Sequence, residues 1–350
     1  MSSPTLDLAS THLELPTLRE FSRDVEAQAL ASLDGLAKPV GSLGKLEQVY
    51  GWWCGATGRL GRAPVRPRTV LFAADHGVVA QGVSTYESDV TARMVRSFLS
   101  GAGVINSFCA HYAVELQVVD VGVAGDLSGA ATTEHAAFAS RRVRAGTGDF
   151  TAELAMTREQ AVAAVRVGMD CAAEAANAGV DVLAAGEMGI GNTTSASAIL
   201  SAIAAVPGKL SAGRGSGIDD AALARKVRAV DAGIARHQPA RDDGIGVLSA
   251  VGGLEIAAIA GLCIGGAARG IPVVLDGFAS TAGGLVASVL APDCVPHLMV
   301  SHRSSESFHW AMSHYLRRDP ILDLDMRLGE GVGAVMAVDA IRLAVRIANG

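Results

Sequence analysis

The sequence predicts an α/β protein: a parallel sheet covered by helices on both faces. Five continuous apolar runs each end abruptly in a polar or glycine-rich turn, and stretches with helical patterning separate them. Strands buried on both faces form unbroken apolar runs, and their alternation with helices marks parallel pairing. Half of the 350 residues are hydrophobic, yet only 4% are aromatic and 41 are glycine, a composition suited to close helix-on-sheet packing.

In chain order, residues 18–60 are expected to be helical with a break at AKPVGSLG (37–44). TVLFAADHG (69–77) is the first strand and 88–109 the helix after it. VELQVVDVGVAGD (114–126) follows, then a helix over 157–178, then VDVLAAGEMGIGN (180–192). Helices over 219–237 and 248–267 precede the last two strands, IPVVLDGFAST (271–281) and HLMVSHRSSE (297–306). An apolar helix over 330–348, entered through a glycine turn, closes the chain. Segments 1–65 and 326–350 are expected to form a small helical domain beside a substrate-binding domain of residues 66–325. Ligands of parallel sheets bind beyond the carboxyl ends of the strands. Here those ends carry Asp75, His76, Asp120, Glu187, Asp276, Ser301 and His302.

A formal net charge of −6 argues against nucleic acid or an anionic membrane as the main partner. Five scattered cysteines form no C-x-x-C pair, so neither a zinc site nor a disulfide framework is expected, and a reducing cytoplasm is the expected location. MSSPTLDLASTHLELP lacks a basic segment and an uninterrupted apolar stretch, so no secretory signal is expected there. The most apolar region, 249–275, is interrupted by Glu255, Arg269 and several glycines and is expected to be buried in the protein rather than in a bilayer.

LAAGEMGIGNTT (183–194) joins a strand, a carboxylate, a glycine-rich turn and hydroxyl residues opening a helix. Glycines let backbone N–H groups approach an anion, and a helix N-terminus supplies unpaired donors. The run serves either as an anion site or as a plain turn. GRGSG (213–217) offers further backbone donors or a loose loop, with Asp219 and Asp220 suited to a helix start. In RLGEGVGA (327–334), Glu330 is either a solvated helix-start residue or a general base whose burial raises its pKa. KPVGSLGKLE (38–47) fails as a Walker loop, because Pro39 replaces the first glycine and Leu46 the required hydroxyl. SHRSSESFH (301–309) shows no zinc-type spacing; Ser301, His302 and Ser304 suit phosphate or ribose contacts better than a metal. His76 is either a base or a structural strand-end histidine.

As an ordered set, KPVGSLGKLE, ADHGV, GVSTYESDVTARMV, GEMGIGNTT, GRGSG, LDGF, SHRSSE and LDMRLGEGVGA resemble the nicotinate-nucleotide:5,6-dimethylbenzimidazole phosphoribosyltransferase family of cobalamin biosynthesis, from about residue 20 to the C-terminus. The resemblance implies a Rossmann-like parallel sheet with a small helical domain drawn from both termini. It also implies a homodimer in which the neighbouring subunit completes each site. The expected reaction moves the 5-phosphoribosyl group from nicotinate mononucleotide to dimethylbenzimidazole, with no cofactor and no metal. Glu330 then corresponds to the general base and Glu187 to a carboxylate beside the reacting centre. Gly189, Gly191, Asn192 and Thr193, with Gly215 and Lys226, correspond to the nucleotide region. Ser84, Tyr86 and Met94 correspond to the base pocket, and Asp276, Ser301 and Leu328 complete the expected site.

Two departures stand out. Arg93 replaces a frequent glutamine and is expected near the acceptor, which opens the acceptor's identity to another base. Phe308–His309 stands where a glycine–histidine pair is common. A non-catalytic nucleotide-binding protein is the main alternative, and retention of both Glu187 and Glu330 speaks against it. An NAD-dependent oxidoreductase would need a dinucleotide fingerprint after the first strand, which ADHGVVAQG does not supply.

Overall fold

The computed structural model describes residues 11–61, 65–306 and 308–349. Most of the N-terminal stretch considered for a signal therefore lies outside the described residues. The chain begins with helices α1 (Arg23–Asp34) and α2 (Lys45–Thr57), then strand β1 (Pro67–Ala74) and helices α3 (Asp89–Leu99) and α4 (Val104–Tyr112). Strands β2 (Glu115–Gly122) and β3 (Ala137–Ser140) follow, then α5 (Arg158–Asn177), β4 (Val182–Met188) and α6 (Asn192–Ala204). A short α7 (Gly208–Ser211) leads into α8 (Asp220–His237), α9 (Gly244–Val251), α10 (Leu254–Arg269) and β5 (Val273–Leu275). The remaining elements are α11 (Phe278–Leu290), β6 (Leu298–Val300), α12 (His309–Leu316) and α13 (Val332–Ala348).

Among the described residues the six strands are all parallel, in the order β3-β2-β1-β4-β5-β6. The chain runs outward from β1 to β3, then crosses back to β4 on the other side of β1. That reversal leaves a crevice beyond the carboxyl ends of β1 and β4. Alternate strand residues feed two apolar layers. Val70, Phe72, Leu183 and Leu275 face the layer of α5, α10 and α11, whereas Leu71, Ala73, Ala184 and Val274 face that of α2, α3, α4 and α13. α1 and α13 both pack on α2, and α13 also packs on β4 and β5, so the second layer runs from the sheet to Trp53. Helices α5 and α10 cross so closely that a Cβ at Gly168 would strike the Ala258 carbonyl, and one at Gly261 the Val165 carbonyl. Gly265 serves the same contact, where a Cβ would lie 2.9 Å from the Met169 Cα.

Several expected elements are shorter than their apolar runs. The helix expected over 88–109 is two, separated by Ser100–Gly103, where Gly101 takes φ +81°. That expected over 248–267 is broken at Gly252–Gly253, where Gly252 caps α9 by donating to the Leu248 carbonyl. The last two strands are three residues each, because DGFAST already turns into α11 and SHRSSE is loop. The edge strand β3 was not expected; its AFAS sequence is partly exposed and carries no apolar run. No described helix is long and apolar enough to cross a membrane.

Candidate active site

The crevice holds a cavity of about 460 Å³. Its floor is the end of β4. Glu187 is the sixth residue of that strand and 8% exposed, and its Oε2 accepts from the Asn192 amide. Burial, then the neighbouring Asp276, Glu255 and Glu330, push its carboxyl well above the usual range. Beyond it, Gly191 (φ +94°) opens α6 at the cavity with no side-chain cap; in the first turn the Asn192 amide donates to the Gly189 carbonyl and the Thr194 amide to the Gly191 carbonyl, and the helix end adds its partial positive charge.

Glu330 stands opposite, in the loop that opens α13. It is 5% exposed and itself adopts φ +63°, between Gly329 at +81° and Gly331 at +91°. Three successive left-handed residues form a strained turn, which must be held from outside. Asp276 holds it: its carboxylate, fully buried at the end of β5, accepts from the Gly331 amide at 3.2 Å and the Ala334 amide at 3.0 Å. The turn also presses on β4, since a Cβ at Gly186 would lie 2.8 Å from the Glu330 carbonyl oxygen. A Cβ at Gly329 would lie 2.5 Å from Glu187 Oε1, so the two carboxylate-bearing segments are in contact. Burial raises the Glu330 pKa to about 7; the Ile105 amide in the first turn of α4 lowers it, and Asp276 raises it further. Glu330 Oε2 has no hydrogen-bond partner among the described residues. A buried carboxylate with one free oxygen, titrating near neutrality, has the properties of a general base.

Lys226, on α8, is 1% exposed, and burial lowers its pKa to about 8. Its ammonium donates to Thr193 Oγ1 at 2.8 Å and the Gly213 carbonyl at 3.1 Å. An ammonium has three protons, which leaves one for a ligand. Gly215 takes φ +54° in this loop, where a Cβ would crowd Thr193 Oγ1 at 3.3 Å. The uncapped end of α6, Thr193, Lys226 and the 213–217 loop thus gather donors suited to a phosphate.

The structure brings Ser84, Tyr86, Met94, Glu187, Gly189, Gly191, Asn192, Thr193, Gly215, Lys226, Leu328 and Glu330 to one cavity. Three expected residues are elsewhere. Arg93 points from the outer face of α3, its side chain 64% exposed and 3.4 Å from Asp89, so it is not part of the cavity wall. Asp276 and Ser301 stand behind the wall: Asp276 holds the Glu330 turn, and Ser301 Oγ donates to the Asp276 carbonyl at 2.9 Å. Asp75 and Asp120 are also buried off the cavity, accepting from the Ala124 and Val123 amides. His76 lies beneath the glycine turn, between Ser195 Oγ at 3.0 Å and Glu255 Oε1 at 2.7 Å, and is structural in this arrangement.

Sequence reasoning missed an apolar wall of Val90 and Val104, and the polar Arg214 and Glu306. Val104 carries no local signal, because only the break before α4 brings it here. Arg214 and Glu306 lie within GRGSG and SHRSSE, where a charged residue beside glycines or hydroxyls was the available sign. Phe308 adopts φ +60°, a conformation a glycine takes at no cost.

The model of a phosphoribosyltransferase family, DBI_PRT, matches residues 18–350. The nicotinate-nucleotide–dimethylbenzimidazole phosphoribosyltransferase of Chloroflexus aggregans is 48% identical over 314 residues, covering 90% of this chain and 88% of its own. The enzyme of the same name from Geobacter sulfurreducens is 45% identical over 324 residues, covering 93% and 91%. The crystal structure of CobT from Thermus thermophilus superposes with a TM-score of 0.87 at 42% identity, covering 93% of this chain and 96% of that one.

Proposed function

The chain belongs to this phosphoribosyltransferase family, and on that premise we propose that Glu330 and Glu187 carry the transfer of the 5-phosphoribosyl group from nicotinate mononucleotide to 5,6-dimethylbenzimidazole. The products are α-ribazole 5′-phosphate and nicotinate, a step of cobalamin biosynthesis. The observation that carries the residue assignment is the Glu330 carboxylate, buried with one free oxygen and a pKa of about 7, in contact through its loop with Glu187.

One nitrogen of the benzimidazole attacks C1′ while Glu330 takes the proton from the other. The C1′–N bond breaks with its electron pair going to the pyridinium nitrogen, so nicotinate leaves with an uncharged ring and needs no acid. Attack opposite the departing base converts the β-nucleotide to an α-nucleotide. In the empty cavity burial favours the neutral form of Glu187. The pyridinium of the bound nucleotide favours its ionised form, which then faces the positive charge developing on the ribose. Phosphate rests on the α6 N-terminus, Thr193, Gly215 and Lys226. The acceptor ring lies against Val90, Met94, Val104 and Leu328, with Ser84 and Tyr86 at its edge.

The protein acts as a homodimer. In support, Tyr86, Val104 and Leu328 are each about half exposed at the cavity mouth, an apolar rim suited to cover by a second copy. The described parts of segments 1–65 and 326–350 form the small helical domain, a division supported by the packing of α1 and α13 on α2. All five cysteines are buried and unpaired, which supports a cytoplasmic location. Purified protein incubated with nicotinate mononucleotide and dimethylbenzimidazole should release equal amounts of nicotinate and α-ribazole 5′-phosphate, followed by chromatography and mass. Nicotinate release without the new nucleotide would overturn the assignment of acceptor.

A further inference from the structure

Among the described residues, Glu306 is the one buried carboxylate of the cavity wall to which the transfer mechanism gives no task. It is 8% exposed, and its Oε2 has no hydrogen-bond partner among the described residues. Its backbone is pinned. The Glu306 amide donates to Ser304 Oγ at 3.2 Å, and its carbonyl accepts from the His309 amide at 3.3 Å. His309 Nδ1 accepts from the Ser304 amide at 3.1 Å, and its other nitrogen meets Thr281 Oγ1 at 2.9 Å. Burial lowers the His309 pKa to about 3, so a neutral ring clamps this turn. The Glu306 backbone is therefore held, and its carboxylate brings an unpartnered acceptor to the cavity wall.

An ionised carboxylate accepts hydrogen bonds and donates none. It repels both the phosphate and the carboxylate of nicotinate mononucleotide. Lys226 is close enough to feel its charge, yet no ion pair joins them, and the Lys226 ammonium already bonds to Thr193 and Gly213. The two substrates together bring three donors: the benzimidazole N–H and the two ribose hydroxyls. Glu330 takes the first. An orphaned carboxylate beside the phosphate-binding lysine faces the portion of the nucleotide next to the phosphate, which is the ribose.

We infer that Glu306 accepts a hydrogen bond from a ribose hydroxyl and so selects ribonucleotides over their deoxy analogues. This rests on the reading of nicotinate mononucleotide as donor. A site with a buried acceptor rejects a ligand lacking the matching hydroxyl, because the acceptor is left unpaired. Loss of one such charged hydrogen bond is worth about 10- to 100-fold.

The test compares nicotinate mononucleotide with its 2′-deoxy and 3′-deoxy analogues, in wild type, Glu306→Gln and Glu306→Ala. Both kcat/KM and calorimetric binding are measured, and melting curves establish that each variant is folded. Wild type should prefer the ribonucleotide to one analogue by about 10- to 100-fold, and Glu306→Ala should reduce that preference to about threefold or less. The variant's loss should fall on the ribonucleotide, with the deoxy analogue nearly unaffected. Equal losses on all three nucleotides would mean that Glu306 acts only by orienting Lys226, and would overturn the inference. So would a wild type that binds all three alike. Because binding is read separately, absence of transfer in wild type would count against the reaction while the hydroxyl preference still decides the role of Glu306.

Discussion

Glu330→Gln should stabilise the empty protein while it abolishes most of its activity. Folding raises the Glu330 pKa from 4.5 to about 7, chiefly by burial. Between those two values the native protein keeps a proton that the unfolded chain has released. Wild-type stability therefore falls as pH rises through that window. At 1.36 kcal/mol for each unit, the penalty reaches about 3 kcal/mol above neutrality and vanishes below the unfolded value. An amide pays no such cost, and its carbonyl still accepts from the Ile105 amide. For a chain of this size, about 3 kcal/mol corresponds to a rise in melting temperature of roughly 4 °C. Differential scanning calorimetry at about pH 8 and about pH 4.5 should show the variant more stable at the first and equal to wild type at the second. Turnover should fall by about 10²–10⁴-fold, the usual contribution of a positioned base. The wild-type rise in kcat/KM through about pH 7 should disappear with it. A variant that melts below wild type at the higher pH would refute the desolvation reasoning, and near-normal turnover would remove Glu330 from the base role.

Three further outcomes follow from the site's construction. The Lys226 ammonium loses its charge above about pH 8, so wild-type kcat/KM should fall again on that side, giving a bell; Lys226→Met should lack the alkaline limb and raise the KM for the nucleotide. Gly186→Ala drives a methyl to 2.8 Å from the Glu330 carbonyl oxygen. Steady-state kinetics should show a kcat lowered by about 10²-fold through displacement of the base, with a stability loss of about 1–3 kcal/mol. His76→Ala strips Glu255 Oε1 of its partner in a fully buried site, which in urea unfolding should cost about 3–5 kcal/mol. Adding Glu255→Gln should recover part of that loss.

The sheet was legible in the sequence because strands buried on both faces leave nothing to interrupt an apolar run; TVLFAA and VDVLAAGEM are such runs, and the helices between them imply parallel pairing. β3 was not legible for the converse reason, since a half-exposed edge strand needs no apolar run. Boundaries failed where glycines end a helix inside an apolar stretch, at Gly101 and Gly252. The motifs located most of the site, because glycine turns at strand ends are local features. They could not separate wall from support. Asp276 and Ser301 occupy strand ends like Glu187, and only the approach of the α13 loop turns Asp276 into a brace for Glu330. Arg93 was misplaced because one residue's difference in helical phase sends a side chain to the outer face while Met94 reaches the cavity.

The base role of Glu330 shows why composition and spacing leave such questions open. A glutamate between glycines at a helix start is ordinarily solvated, with a pKa near 4.5. Its value of about 7 comes chiefly from burial by segments distant in sequence, β4 at Gly186 among them, and then from the Asp276 charge, against the opposing hydrogen bond from the Ile105 amide. The same crowding acts on Glu187, whose carboxyl is raised by burial and then by Asp276, Glu255 and Glu330 together. Asp276 and Glu255 have partners of their own, so the repulsion falls on Glu187 when the cavity is empty. A cation relieves it, and the donor nucleotide brings one in its pyridinium ring. As the glycosidic bond breaks, that charge passes from the ring to the ribose without leaving the cavity. The arrangement thus favours release of the uncharged nicotinate ring, and it speeds the transfer only through the part of the attraction that strengthens as the charge moves from the ring to the ribose.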